Sequence, residues 1–170
     1  MNAAGTDINP MAVLIANAKL TAISVPAEAL RADLARVVRR VRTITLPKKG
    51  RDLSREEYLL AWFTPEVYGE IERLKLSIEE LGPPMSAPLL AIASNLLRDY
   101  SLQDPNDLRI RRRKSPLPEM PLIDAYEEAA AQFIDKLEGA QQIVTASKPT
   151  SQAILTDSRE ATVKALGSAE

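Results

Sequence analysis

A carboxylate placed directly before a predicted helix start is the first feature that can do chemistry. Asp7 follows the small residues Gly5 and Thr6, and Asn9 then favours a helix N-cap with Pro10 at the first helical position. In doubly wound nucleotide-binding sheets, an acidic side chain at the carboxyl end of a strand accepts hydrogen bonds from ribose hydroxyls. An aspartate or asparagine before a helix is more often a simple cap, so both interpretations stay open.

The second feature is a run of basic side chains bounded by prolines. Prolines at positions 116, 118 and 121 favour an extended or irregular path, and the cations before them are Arg111, Arg112, Arg113 and Lys114. Such a loop can bind phosphates, the sequence-independent part of DNA affinity, or it can be a solvated charge run. Arg36, Arg39 and Arg40 are also clustered, but they are typical of the polar face of a helix.

Other side chains with chemical potential have structural interpretations. Tyr58, Trp62 and Phe63 can stack on bases, but their spacing in an amphipathic segment is more typical of a hydrophobic core. Paired glutamates such as Glu79 and Glu80 are interpreted as charges on the solvent face of a helix. No metal site is predicted from them.

The composition excludes many kinds of site. The 170 residues contain no cysteine and no histidine, which excludes disulfides, thiolate nucleophiles, Cys/His zinc sites and Ser-His-Asp triads. Apolar residues make up 45% and charged residues 26% of the chain, which predicts a globular protein. The apolar runs are shorter than the roughly 20 residues of a membrane span. No basic region precedes them as in a secretory signal, so a cytoplasmic protein without a membrane span is predicted.

The helical spacing of apolar residues predicts most of the elements that must position these side chains. Ser54 and Glu57 have the spacing of a capping box, and Thr64, Pro65 and Gly82 favour the start and the end of the next helix. The predicted helices cover residues 10–20, 26–42, 54–63, 65–81, 87–100 and 122–144.

The two ends of the chain have the character of α/β segments. Residues 1–6 are weakly strand-like, residues 152–156 have the pattern of a short buried strand, and a last short helix is predicted from Asp157. Parallel strands occur in sheets of several strands that are covered on both faces. We therefore expect neither strand to find a partner sheet within this chain.

Residues 5–19 read Gly-Thr-Asp-Ile-Asn-Pro and then an alanine-rich stretch that ends in lysine. This segment resembles the second cofactor-binding segment of bacterial DNA methyltransferases that modify adenine N6 or cytosine N4. In that family, the aspartate holds the ribose of the methyl donor, S-adenosylmethionine. The resemblance implies that Asp7 binds the ribose, with Ile8 and Asn9 beside the adenine.

Two further regions, in the family's order, resemble the same enzymes. Residues 62–74 and 89–101 are similar to their helical insertion, in which an aromatic-Phe-Ser/Thr-Pro signature precedes two helices and then an Arg- and Pro-rich loop. Residues 153–159 are similar to the strand and acidic turn that contact the adenine ring. The resemblance implies that Asp157 accepts a hydrogen bond from the adenine amino group, and it favours DNA contacts for the four cations at positions 111–114.

The departures from the family concern its catalytic parts. The glycine-rich loop of the form Phe-x-Gly-x-Gly is absent, and so is the catalytic loop of the form Asp/Asn/Ser-Pro-Pro-aromatic. The second loop orients the target amino group and stacks on the flipped base, so no catalytic residue is assigned and the chain alone is expected to be inactive. Two origins stay open: a gene fragment, or one subunit of a split enzyme whose complementary half supplies both loops.

These observations predict a mainly α fold, in which a helical insertion is flanked by remnant strands of a Rossmann-like methyltransferase α/β sheet. Residues 1–24 and 149–170 are expected to be partial cofactor-binding segments, and residues 25–148 the insertion with its basic loop. The alternative is a non-enzymatic helical module that binds nucleic acid or a protein. It predicts a stable fold and no affinity for S-adenosylmethionine, whereas the methyltransferase interpretation predicts exposed sheet edges and poor solubility.

Overall fold

The computed structural model describes residues 3–47, 52–105, 107, 109–144, 151–157 and 159. Most of these residues are helical, so the prediction of a mainly α fold is confirmed, and a small sheet of two parallel strands accompanies the helices. In chain order the elements are β1 (Ala3–Asp7), α1 (Pro10–Ser24), α2 (Ala27–Thr43), α3 (Leu53–Leu60), α4 (Pro65–Glu79), α5 (Ser86–Tyr100), α6 (Leu122–Val144) and β2 (Ser151–Leu155). The helix predicted from Asp157 onward lies outside the described residues, apart from positions 157 and 159.

The core of the helical region lies between α2, α4, α5 and α6. Leu30 and Val37 of α2, Ile78 of α4, and Tyr126 and Ile134 of α6 have no measurable solvent exposure. In α2 and α6, the buried positions repeat at three- and four-residue intervals, as an amphipathic helix requires. The apolar faces predicted for these two helices are therefore the faces that form the core.

Side-chain caps explain where several helices begin. The backbone N–H of Met11 donates to the side-chain oxygen of Asn9 over 2.9 Å, which confirms the predicted start of α1. The predicted capping box at Ser54 is wrong, because α3 begins one residue earlier and Asp52 is its N-cap, accepting from the N–H of Arg55 over 3.0 Å. A carboxylate at that position also interacts favourably with the positive end of the helix dipole.

The two strands pair with each other, so the expectation that neither finds a partner within the chain is wrong. Gly5 lies opposite Ala153 and Asp7 opposite Leu155 in a parallel register. Parallel strands need a long crossover connection, and here the whole set of helices between β1 and β2 supplies it. Helix α1 contacts both strands and α5, and it thereby attaches the strand pair to the helical core.

Helix α1 differs from the other long helices because apolar residues surround it and few of them are buried. Its buried residues are Ala18 and Ala22, whereas Met11 and Ile23 are 48% and 43% exposed. Within the described ranges, no single helix is long and apolar enough to cross a membrane; only α1 and α2 taken together pass that test, as a pair bent by 119°. We call β1, α1 and β2 together the strand unit.

Candidate functional site

Two aspartates that are distant in sequence lie at the same edge of the sheet. Asp7 is the last residue of β1, and Asp157 follows the end of β2 by two residues. Because the strands are parallel, both carboxyl ends face the same side, and the backbone N–H of Thr156 donates to the carbonyl of Asp7 over 3.0 Å. In open α/β sheets of parallel strands, ligands bind at the carboxyl edge.

The backbone takes the same local form after each strand. The N–H of Asn9 donates to Oδ1 of Asp7 over 2.7 Å, and the N–H of Arg159 donates to Oδ1 of Asp157 over 2.9 Å. In each case a carboxylate holds the amide two residues further on, as in an Asx turn. A carboxylate offers about four acceptor positions, so Asp7, which accepts from Asn9, retains capacity for a ligand hydroxyl or amino group. Asp157 accepts from the backbone and the guanidinium of Arg159 on both of its oxygens, so a ligand donor at Asp157 has to replace the Arg159 side chain.

The contact with Arg159 favours the ionised form of Asp157. The Arg159 guanidinium forms an ion pair with this carboxylate and hydrogen bonds to it through Nε over 3.1 Å, which lowers the pKa of Asp157 below its ordinary value. The Arg159 side chain is 87% exposed, so water and salt screen the pair. The ion pair therefore stabilises the charged carboxylate, while the Arg159 side chain stays in contact with solvent.

The other two residues predicted to flank a cofactor lie next to Asp7. Ile8 is 71% exposed, so an apolar side chain stands in solvent directly beside the first carboxylate. Asn9 uses its side-chain oxygen as the cap of α1. The segment of Asp7, Ile8 and Asn9 therefore lies at the same edge of the sheet as the strand end that precedes Asp157.

Asn17 is a positioning residue that the sequence interpretation missed. Its side-chain amide donates to the carbonyl of Ala153 over 2.9 Å, and its side-chain oxygen accepts the N–H of Ala153 over 2.8 Å. Both backbone groups of Ala153 point away from β1, because alternate residues of a strand bond to opposite sides and Thr156 bonds to Asp7. Asn17 therefore satisfies both of these backbone groups of Ala153 and attaches β2 to α1. The one available signal was an amide within a largely apolar helix.

The strand edge offers two carboxylate acceptors and an exposed apolar side chain, a set that suits a ligand with hydroxyl or amino donors and a flat apolar ring. Comparisons with protein families, curated proteins and solved structures find no match to this chain. Within the described residues, no group of three or more acidic side chains is arranged to hold a metal ion.

The basic loop is fixed to the end of α5 by its backbone. Arg112 forms an isolated antiparallel bridge with Gln103. On either side of that bridge, the N–H of Asp104 donates to the carbonyl of Arg111 and the N–H of Arg113 donates to the carbonyl of Leu102, each over 2.8 Å. We use the name basic loop for residues 109–114. The basic loop therefore runs antiparallel to residues 102–104 and is held there by backbone hydrogen bonds.

The four cations at positions 111–114 have different environments. Arg113 is half-buried and donates through Nη1 to the carbonyls of Asp99 and Ser101, over 2.6 and 2.9 Å, so it ties the loop to the end of α5. Arg111 is exposed and pairs with Asp107 over 3.3 Å. Arg112 lies over the ring of Trp62 at 5.5 Å from its centroid, and Lys114 is exposed.

A groove opens between the basic loop, α3 and α5. It has a volume of about 260 Å³ and is lined by Tyr58, Trp62, Phe63, Leu97, Arg98, Ser101, Gln103 and Ile110. Phe63 is buried and Trp62 is half-buried, as their interpretation as core residues predicts. The same interpretation is wrong for Tyr58, which is 67% exposed, because α3 lies on the surface and none of its eight residues is buried.

Two cations of α2 are paired with nearby carboxylates. Arg40 forms a hydrogen-bonded ion pair with Glu80 at 2.8 Å, which raises the pKa of the guanidinium and lowers that of the carboxyl. Arg36 pairs with Asp33 one turn earlier on the same helix, at 3.1 Å. These contacts fit the interpretation of this cluster as a helix face rather than a nucleic-acid site.

Proposed function

We propose that this chain is part of an S-adenosylmethionine-dependent DNA methyltransferase that modifies adenine N6 or cytosine N4. It is either a fragment of a longer enzyme or one subunit of a split enzyme whose complementary half supplies the glycine-rich and Pro-Pro-aromatic loops. The observation that carries the proposal is the parallel pairing of β1 with β2, which puts Asp7 and Asp157 at one carboxyl edge although they stand at opposite ends of the sequence.

The residues at this edge fit the methyl donor chemically. The Asp7 carboxylate accepts hydrogen bonds from the ribose hydroxyls. Asp157 accepts one from the exocyclic amino group of adenine, which takes the place of the exposed Arg159 guanidinium. The exposed Ile8 offers an apolar contact to the adenine ring. S-adenosylmethionine supplies the transferable methyl group when bound, and the chain's own residues hold and orient it.

In this proposal, the two-stranded sheet is a section of a larger Rossmann-like sheet, and the helices between the strands form an insertion that contacts DNA. Three features support it: the shared carboxyl edge, the matching turns that follow both strands, and the basic loop anchored to the insertion. Exposed Arg111, Arg112 and Lys114 contact phosphates, while Arg113 holds the loop in place.

Nuclear magnetic resonance of the isotope-labelled full chain tests the cofactor site. Millimolar S-adenosylmethionine should shift the amide signals of residues 7–9 and 155–157, because a site with only part of its contacts binds weakly. Asp7→Asn and Asp157→Asn should each reduce these shifts. Asp135→Asn, which changes an exposed aspartate of α6, is the matched control and should leave them unchanged. Shifts scattered over the chain, or equal shifts in all three variants, contradict the proposal.

The DNA that flanks the reading frame gives an independent test. Translation in all frames should reveal a glycine-rich loop upstream and a Pro-Pro-aromatic loop downstream, or a separate gene that encodes both. A chromosome with neither element would contradict the assignment to this enzyme class. That result would not bear on the DNA-binding part of the proposal, which the binding measurements test separately.

A non-enzymatic nucleic-acid module is the second candidate, and one observation favours it. The helical core is closed by α2, α4, α5 and α6, and the basic loop is fixed to α5 without any contribution from the strands. This candidate predicts DNA binding that is insensitive to Asp7→Asn, together with no response to S-adenosylmethionine. The two measurements together separate the candidates.

A further inference from the structure

The groove beside the basic loop is built from three segments that backbone hydrogen bonds hold together. The N–H of Leu102 donates to the carbonyl of Trp62 over 2.7 Å, and the carbonyl of Leu102 accepts the N–H of Arg113 over 2.8 Å. The turn that carries Trp62, the end of α5 and the basic loop therefore form one connected structure. We name the space between them the aromatic groove; its volume is about 260 Å³.

Apolar side chains at the rim of the aromatic groove are exposed to solvent. Tyr58 is 67% and Ile110 is 76% exposed, and they stand on two different segments that border the same space. Half-buried Trp62 and buried Phe63 form its floor. Exposed apolar groups that converge on a cleft with a polar surround are typical of a binding site.

The charges around the aromatic groove select an anionic partner. Among the described residues that line it, Arg98 is the one charged side chain, and no carboxylate is present in that lining. The basic loop forms one wall through Ile110, and Arg112 already lies against the indole ring at 5.5 Å. A partner must therefore combine negative charge with an apolar or aromatic part.

The size of the aromatic groove limits which partners can enter it. Pockets for drug-sized ligands occupy roughly 300 to 1,000 Å³, so a space of about 260 Å³ suits one planar ring system rather than a larger molecule. Aromatic side chains beside a basic track are the arrangement by which proteins bind unpaired nucleic-acid strands, with bases stacked on rings and phosphates held by cations. A base within an intact duplex has no free face for such stacking.

We propose that the aromatic groove takes one unpaired nucleobase of a DNA strand, stacked against Tyr58 and Trp62, while Arg111 and Lys114 bind the neighbouring phosphates. This inference rests on the DNA contact of the proposed function and adds to it a base-binding site in the helical insertion. Gln103, which lines the same space, offers an amide donor and acceptor to the edge of the base.

Fluorescence provides a direct test, because Trp62 is the single tryptophan of the chain. The full chain is titrated with single-stranded oligonucleotides and with fully paired duplexes of the same length. Single strands should quench the fluorescence of Trp62, and labelled strands should show binding by anisotropy. Duplexes should bind through phosphates with much less quenching.

Variants of the rim identify the contact. Tyr58→Ala should weaken single-strand binding about tenfold to a hundredfold, the range measured for the loss of one stacking contact, and duplex binding should stay within about twofold. Tyr58→Phe keeps the ring and should restore single-strand binding. Leu53→Ala, at another exposed apolar side chain of α3, is the matched control and should bind as the original chain does. Circular dichroism verifies that each variant is folded.

Each outcome decides one question. Single-strand binding that neither quenches Trp62 nor depends on Tyr58 overturns the base site while leaving the DNA contact of the proposed function intact. Quenching by an acidic peptide, together with no binding of single-stranded or duplex DNA by anisotropy, overturns both the base site and the DNA contact, and makes the groove a protein-docking site. Failure of the cofactor site is read separately, from the S-adenosylmethionine shifts at the strand ends.

Discussion

The helical core and the strand unit bury their apolar residues to very different degrees. In the core, Leu30, Ile78 and Ile134 lie on three different helices and have no measurable solvent exposure. In the strand unit, α1 is apolar on every side, a pattern typical of a helix surrounded by protein, yet its buried residues are two alanines. The difference shows that the described helices close the core, whereas the strand unit leaves apolar side chains exposed.

The largest expected effect compares isoleucines of the two regions. Ile134→Ala should lower the free energy of unfolding by about 2 to 5 kcal/mol, because it leaves a cavity that the surrounding core side chains fill only in part. Ile15→Ala, at a half-buried position of α1, should cost about 1 kcal/mol, since less of the side chain leaves water on folding. Urea denaturation followed by circular dichroism measures both. Equal losses would remove the distinction between the regions.

The next effect concerns the attachment of β2 to α1. Asn17→Ala removes both partners of the Ala153 backbone groups, and leaving partly buried groups unpaired costs about 1 to 3 kcal/mol. Hydrogen exchange should accelerate at residues 152–156 and stay unchanged in α6, because the core does not depend on this contact. Asn95→Ala, at an exposed asparagine of α5, is the control and should change neither region. Faster exchange throughout the chain would mean that the strand unit and the core unfold as one.

The two regions also differ in how far the sequence predicts them. Local signals were sufficient for the helices: Asn9 and Thr64 cap where their residue types predict, and the buried positions of α2 and α6 follow helical periodicity. The cap at Asp52 was missed because the neighbouring Ser54 and Glu57 imitate a capping box, and a carboxylate before the first turn competes with a hydroxyl.

The contacts between distant segments were not accessible to local reasoning. Two short strands at opposite ends of the chain have no pairing signal of their own, because parallel pairing depends on the path of all the helices between them. Their carboxyl ends carry the predicted Asp7 and Asp157, whereas Asn17 was missed since its partner is a backbone group 136 residues away. Exposed Tyr58 was misread because amphipathic spacing does not say whether another element covers a helix face.

The third prediction compares two basic regions, the loop and the face of α2. The double variant Arg111→Ala with Lys114→Ala should reduce the slope of log affinity against log salt for duplex DNA by about 2, since each lost phosphate contact removes about 0.9. Arg39→Ala changes an exposed cation of α2 and should leave the slope unchanged. Fluorescence anisotropy over a range of salt concentrations measures the slope. An equal effect of Arg39→Ala would show that DNA binding follows net charge rather than the loop.

The smallest expected effect is the pH response of the strand unit. The Arg159 guanidinium lowers the pKa of Asp157, so the pair contributes to stability above the ordinary pKa of an aspartate, about 4, and the contribution is lost as the pH falls through the lowered value. Arg159→Ala should return the pKa of Asp157 toward its ordinary value, which a carboxyl-carbon titration by nuclear magnetic resonance detects. Because the pair is screened by solvent, the unfolding curve of the helical core should not move with it. A core that loses stability in Arg159→Ala would show that the strand edge and the core are coupled, contrary to the contrast in their burial.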